Sequence, residues 1–380
     1  MKFTLTDEQK MIQEMARDFA LSEIAPSAME RDKNAEFPTE IIKKLGELGL
    51  MGMMVDPKYD GAGMDTVSYC LAMMEISKVD ASVGVIMSVN NSLVNFGIEK
   101  WGSEFIKEKY LRPLARGEKL GAFALSEPEA GSDATHQQTT AVKEGNFWVL
   151  NGIKNWITNG STADYYIVMA QTDKEKRHHG ITAFLVEKGF PGFEHGTHED
   201  KLGIRSSDTC SLIFTDCKVP EENVLWEVGK GFNFAMNTLN GGRYGIASQA
   251  VGIAQASLEA SLKYSKERKA FGTEIANHQA IQFKLADMAT RTEAAKLLTL
   301  QAAGLRDEGK PYIKEASMAK LFASETATQN ALDAIQIHGG YGYVREYKVE
   351  RFLRDAKITE IYEGTSEIQR IIIGRQILKD

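Results

Sequence analysis

Two short stretches carry the residue types that could do chemistry. The first, Ile361-Tyr362-Glu363-Gly364-Thr365, sets a carboxylate between an aromatic residue and a glycine, just ahead of the last amphipathic stretch. A glutamate among apolar neighbours loses hydration on burial, which raises its pKa toward the range where it accepts a proton at neutral pH. Glu363 is therefore a candidate general base; the other reading is a surface acid beside a helix start. The second stretch is Ala124-Leu125-Ser126-Glu127-Pro128-Glu129-Ala130-Gly131-Ser132-Asp133. Its glycine and hydroxyl residues let backbone N–H groups approach the polar edge of a heterocycle or a phosphate, unless the segment is only a capped turn.

Other patterns carry less. His195-x-x-His198-Glu199 follows Pro191-Gly192 in a loop, with no helix to present both imidazoles, so no metal site is expected. Cys70, Cys210 and Cys217 are three, too few and too scattered for a disulfide framework or a zinc site, and read as buried thiols of a reducing compartment. Neither G-x-G-x-x-G nor a P-loop pattern occurs.

The elements that must position these stretches fall into three parts. Thr6-x-x-Gln9 is a capping-box pattern, followed by Ile12, Met15 and Phe19 at helical spacing as far as Pro26. Helical periodicity resumes after Pro38 and, beyond a loop at 56–65, continues to Arg116. From Gly121 the pattern becomes strand-like. Phe147 to Leu150, then Asn151-Gly152, then Ile153 to Thr158 predict a β-hairpin, because Asn-Gly takes the positive φ angles of a tight turn. Further strands are predicted at 165–170, 181–186 and 210–214. After Gly229-Lys230-Gly231 long helical periodicity returns, with Ile281, Leu285, Met288 and Ala295 on one face and one break, at His338 to Gly342. The α, β, α order without βαβ alternation argues against a Rossmann fold.

Bulk properties narrow the function. At 380 residues the chain exceeds one ordinary core, and 43% hydrophobic with 26% charged residues is a globular composition. No apolar run is expected to reach the length of a bilayer span, so no membrane insertion is expected. A net charge of -7 offers no basic field for a nucleic acid partner. The N-terminus, Met1-Lys2-Phe3 onward, lacks the pattern of a signal or transit segment. The expectation is a bacterial-type cytoplasmic location, or the mitochondrial matrix for a mature form that has lost a presequence.

Six separated motifs, in order along nearly the whole chain, resemble the acyl-CoA dehydrogenase family, and most the short-chain (butyryl-CoA) branch. They are the 125–133 loop, Trp156-Ile157-Thr158, Gly241-Gly242-Arg243, Arg268-x-x-Phe271-Gly272, Gln336-x-x-Gly339-Gly340-x-Gly342, and Ile361 to Thr365 followed by Ser366-Glu367-Ile368-Gln369-Arg370. The resemblance implies an α+β multi-domain fold: an N-terminal α-helical domain (1–121), a central β-barrel domain (122–231) and a C-terminal four-helix bundle (232–380). It implies FAD, with Phe123, Leu125, Ser126, Gly131, Ser132, Trp156, Ile157 and Thr158 lining the isoalloxazine. Arg268, Phe271, Gln279, Gln336, Ile337, Gly339 and Gly340 would reach the FAD of a neighbouring subunit in a homo-oligomer, usually a tetramer. Thr365, Ser366 and Glu367 would sit at the diphosphate and ribose.

For the acyl-CoA substrate the same resemblance points to Ser132, Asn240, Gly241, Gly242, Arg243, Tyr362 and Gly364. Asn240 stands where relatives usually carry aspartate, and His136 replaces a small residue. His178-His179, beside three basic residues, reads as a solvated turn or a contact to the CoA phosphate. Glu363 would remove the α-proton while the β-hydrogen leaves as hydride to flavin N5, giving a trans-2-enoyl-CoA. Some branches place their base at the position of Gly242; here that position is glycine. Gly84 stands where a glutaryl-type enzyme needs arginine, so uncharged acyl chains are expected, with the 85–93 run closing the acyl pocket. Electrons would pass to an electron-transfer flavoprotein. An oxidase or flavin monooxygenase on the same fold, and a non-catalytic acyl-CoA- or flavoprotein-binding scaffold, are the competing readings.

Overall fold

The computed structural model describes residues 4–379, so Met1-Lys2-Phe3 of the opening stretch lie outside the described residues. The first third is helical: α1 (Asp7–Phe19), α2 (Ala28–Asn34), α3 (Thr39–Glu47), α4 (Thr66–Val79), α5 (Ala81–Ser88), α6 (Phe96–Trp101), α7 (Glu104–Ile106) and α8 (Arg112–Ala115). The capping box at α1 forms as expected: Gln9 N–H donates to Thr6 Oγ1 at 3.1 Å, and Thr6 N–H to Gln9 Oε1 at 3.0 Å.

A π-helical turn joins α5 to α6, making one helical stretch, Ala81–Trp101, that is long and apolar enough to cross a membrane. This corrects the expectation that no apolar run reaches that length. The stretch is nonetheless almost wholly buried inside the protein. Its asparagines show why it belongs there: Asn90, Asn91 and Asn95 donate to the carbonyls of Met51, Leu50 and Met51 at 2.9, 2.9 and 2.8 Å, satisfying the irregular chain after α3.

The middle third is a sheet of β1 (Gly121–Ala124), β2 (Thr140–Glu144), β3 (Phe147–Thr158), β4 (Tyr165–Gln171), β5 (Ile181–Glu187), β6 (Phe193–His198), β7 (Thr209–Pro220) and β8 (Val224–Leu225). The order is β6-β7-β3-β2-β4-β5-β8, with β1 parallel to β4. The sheet folds over on itself, since Tyr166 of β4 packs on Phe193 of β6 at 4.7 Å and Trp148 of β3 on Phe184 of β5 at 5.6 Å. It is barrel-like, with β6 and β8 as the ends of the ladder path.

The predicted hairpin at Asn151-Gly152 does not form; β3 runs straight through it. The dipeptide marks a register shift against β7 instead. The Asn151 amide exchanges hydrogen bonds with Asp216, which sits at φ 50°, and Gly152, at φ 146°, lets Thr139 approach so closely that a Cβ would lie 2.6 Å from its Cα.

The last third holds α9 (Gly231–Glu267), α10 (Gln279–Asp307), α11 (Ile313–His338), α12 (Val349–Thr359) and α13 (Ser366–Ile377); a short hairpin, β9 (Lys269–Ala270) and β10 (Thr273–Glu274), separates α9 from α10, so His338 to Gly342 is not the one break that the sequence predicts. Buried alanines at 319, 323, 327 and 331 of α11 share a core with Ala247, Ala250 and Ala254 of α9; small side chains let the helices pack closely. Met288 and Ala295 of α10 are buried, and Ile281 and Leu285 pack against the same core. That core also takes in α4 and β5 residues, so all three thirds share it.

Candidate active site

The turn between α12 and α13 carries the candidate base. Tyr362 N–H still donates to Ile358 O at 3.1 Å, but Glu363 then takes φ 53° and Gly364 φ 95°, reversing the chain so that Ser366 N–H donates to Glu360 O at 2.9 Å. A non-glycine residue in the left-handed region is strained, and the surroundings hold it there. Gln369 of α13 donates from Nε2 to Gly364 O at 2.9 Å, and Lys320 of α11 donates from Nζ to the same oxygen at 2.7 Å. Tyr362 donates its hydroxyl to Gln249 Oε1 of α9.

The Glu363 side chain reaches α9 at Gly242. A Cβ built there would overlap Glu363 Oε2, lie 2.9 Å from its Cδ and lie 3.0 Å from Leu93. Oε2 is buried and accepts no hydrogen bond. Burial pushes the Glu363 carboxyl up to about 7, against the opposing pull of Lys320 and Arg243. Arg243 is itself buried and drawn down to about 10 by desolvation; it donates to Asn240 Oδ1 at 2.5 Å, so the Asn240 amide is engaged one turn away on its own helix. Gly241 lies beside Ser92 O and the Tyr244 hydroxyl. The backbone N–H of Glu363 donates to no group among the described residues. The turn therefore presents an unpartnered carboxyl oxygen and a free donor together.

The other predicted residues divide into groups. In the 125–133 loop, Ser126 O accepts from Asn155 N–H at 2.9 Å, Phe123 is buried, Gly131 faces open space and Ser132 is exposed. Trp156 stands at φ 62° with its side chain exposed, between buried Lys154 and buried Ile157, and Thr158 closes β3. Thr365 caps α13 by accepting from Ile368 N–H, Ser366 Oγ is buried without a partner, and Glu367 is exposed. Arg268, Ile337, Gly339 and Gly340 line one cleft of about 540 Å³ that shares no residue with the Glu363 group; the Arg268 guanidinium lies 5.7 Å from the Tyr341 ring centroid. Phe271, at φ 53° on the tip of the β9–β10 hairpin, is 96% exposed, and Gln279 and Gln336 are exposed too. His195 and His198 lie on β6, not in the loop that the sequence predicts: His195 Nε2 is bonded to the Tyr166 hydroxyl at 3.0 Å, while His198 lies beside Asp208.

Three supporting roles escaped the sequence reading, although Gln369 and Glu127 stand in its motifs. Lys320 and Gln369 hold the base's turn, and a fully buried pair, Lys154 with Glu127 at 2.7 Å, anchors the 125–133 loop. Lys154 also donates to Leu125 O, and Glu127 accepts from Gln138 and Thr139 N–H groups. These bonds hold Glu127 below the usual carboxylate range against the cost of burial, while desolvation draws Lys154 down to about 8. A signal for Lys320 existed: it is the one charge on the face Ala316, Lys320, Ala323, Ala327.

Family models match the chain in three consecutive segments: the acyl-CoA dehydrogenase N-terminal domain over 6–118, the middle domain over 122–217 and the C-terminal domain over 229–378. The chain belongs to the acyl-CoA dehydrogenase family. It is 54% identical over 375 residues to the short-chain specific acyl-CoA dehydrogenase, mitochondrial, of Rattus norvegicus, covering 99% of this chain and 91% of that one. Butyryl-CoA dehydrogenase from Megasphaera elsdenii matches with a TM-score of 0.98 at 49% identity over 100% of both chains. A chain solved in work on the electron transferring flavoprotein of Acidaminococcus fermentans and flavin-based electron bifurcation matches with a TM-score of 0.99 at 52% identity, again over 100% of both.

The residues present fit FAD. The buried, unpartnered Ser366 Oγ and the N-terminus of α13 offer donors to a diphosphate, the exposed Trp156 offers an aromatic face, and Gly131 leaves space for close backbone approach.

Proposed function

We propose that this enzyme dehydrogenates short-chain, butyryl-CoA-like thioesters to trans-2-enoyl-CoA and passes the electrons to an electron-transfer flavoprotein. The observation that carries the reading is the Glu363 carboxyl, buried, unpartnered at Oε2 and seated on Gly242. FAD, when bound, supplies the hydride acceptor for the substrate β-carbon. Glu363 takes the α-proton, and its free backbone N–H is the donor available to stabilise the charge that develops on the thioester oxygen. Leu93, beside Gly242, belongs to the run that closes the acyl pocket, and Arg243 with Asn240 forms the polar contact to the substrate.

The 125–133 loop and Trp156 to Thr158 are assigned to the isoalloxazine, and Thr365 to Glu367 to the diphosphate and ribose. The Arg268 cleft and exposed Phe271 are assigned to a neighbouring subunit's FAD, which supports a homotetramer. The domains divide at 1–121, 122–231 and 232–380. Relatives are both bacterial and mitochondrial; we place this chain in the bacterial cytoplasm, or in the mitochondrial matrix after removal of a presequence.

The test is a chain-length series of anaerobic flavin reductions, followed by reoxidation with electron-transfer flavoprotein or with oxygen. Fastest reduction by butyryl-CoA and reoxidation by the flavoprotein are expected. Rapid peroxide formation without an added acceptor would mark an oxidase instead.

A further inference from the structure

Lys320 has no assigned part in the reaction, yet it is placed where the base is held. It lies on α11 with no exposed surface, and its one hydrogen bond among the described residues goes to Gly364 O at 2.7 Å. A buried ammonium with a single acceptor is costly unless an anion stands close by. The anion nearest along the chain is Glu363, the residue before the carbonyl that Lys320 holds; the two side chains form no ion pair within 4.0 Å, and the Lys320 charge acts on the carboxylate across the turn, as Arg243 does from α9. On a face of alanines packed against α9, an apolar side chain would serve stability better than lysine does.

We propose that Lys320 is a positioning residue of the dehydrogenation: its ammonium pins the Gly364 carbonyl, fixing the left-handed turn, and its charge holds the Glu363 carboxyl ready to accept a proton. The inference rests on the reading of Glu363 as the base. The charged and titratable groups around the pair are Arg243 from α9, Tyr69 from α4, Tyr362 beside the base, and Glu360 and Glu367 at the ends of the turn. Glu360 is taken up by Thr328 and Lys357, and Glu367 is exposed, which leaves Lys320 and Arg243 as the cations at the carboxyl.

The two roles separate in variants of the holoenzyme. Lys320→Gln keeps a donor for Gly364 O and loses the charge; Lys320→Arg keeps the charge; Lys320→Met loses both. Removing a cation raises a carboxyl's pKa, so the acid limb of the butyryl-CoA flavin-reduction rate shifts up by about one pH unit in Lys320→Gln, with the plateau retained. Lys320→Arg restores the limb, and Lys320→Met adds a roughly tenfold loss of plateau rate as the turn loosens. Infrared titration of the Glu363 carboxyl band, identified by its loss in Glu363→Gln, follows the same shift without turnover. A limb and a band at their wild-type positions in folded, FAD-replete Lys320→Gln overturn the proposal. Wild-type flavin reduction by Glu363→Gln would instead overturn the base reading itself, so the two failures are distinct.

Discussion

The Glu363 carboxyl fills the space into which any side chain at Gly242 would project. A position on α9 and one in the turn between α12 and α13 therefore compete for one volume, and glycine at 242 is what admits the glutamate. Gly242→Ala places a methyl 2.9 Å from Glu363 Cδ and displaces the carboxyl. A shift of about 1 Å at a reacting group costs on the order of 100-fold in rate. Flavin reduction by butyryl-CoA is expected to slow by about that factor with FAD content unchanged; an unaltered rate would mean the carboxyl does not need this seat.

The pH dependence of reduction follows from burial. Glu363 accepts a proton only when ionised, and its carboxyl is pushed up to about 7. The rate is expected to rise with pH through the neutral range and level off above it. Stopped-flow reduction over that range checks this, and a limb at the ordinary carboxylate position, near 4.5, would contradict it.

Ionising Glu363 also weighs on the fold. A folded-state pKa raised from 4.5 to about 7 means that the native chain holds this proton more tightly than the unfolded chain does. The stabilisation is complete below about 4.5 and is lost as pH rises through about 7, a difference of up to about 3 kcal/mol. Glu363→Gln, which cannot ionise, is expected to match the wild type near the lower limit and to exceed it in thermal stability above the upper one. Parallel melting curves across that window would refute the linkage.

How much of this was legible depends on distance along the chain. Capping at Thr6, the strands within 147–158, 165–170, 181–186 and 210–214 and the helix start at Gly231 rest on local pattern, and the periodicity of neighbouring residues specifies them, whereas the β9–β10 hairpin between α9 and α10 has no such local signal. Asn151-Gly152 misled because the dipeptide suits both a hairpin turn and a bulge; Asp216 and Thr139, far away in sequence, decide between them. The buried stretch 81–101 passed for ordinary helices because its polar asparagines break up the apolar run, and their partners lie near Met51. Glu363 was readable as a motif, but its seat on Gly242 and its support from Lys320 exist only after α9, α11 and the last turn come together.

The buried pair beneath the 125–133 loop should behave as a unit. Glu127→Gln leaves the Lys154 ammonium buried without its carboxylate, and breaking such a pair costs about 3–5 kcal/mol. Denaturant unfolding is expected to show a loss of that order together with lowered FAD retention, and Glu127→Gln with Lys154→Met should recover much of the stability. A single variant as stable as the wild type would remove the pair from the account of the loop.

The central claim is that Glu363 is the proton acceptor, and the holoenzyme carrying Glu363→Gln tests it most directly. Mixed anaerobically with butyryl-CoA, this variant is expected to retain FAD and bind the thioester while its oxidised-flavin absorbance stays unbleached. Full bleaching at the wild-type rate would contradict the claim.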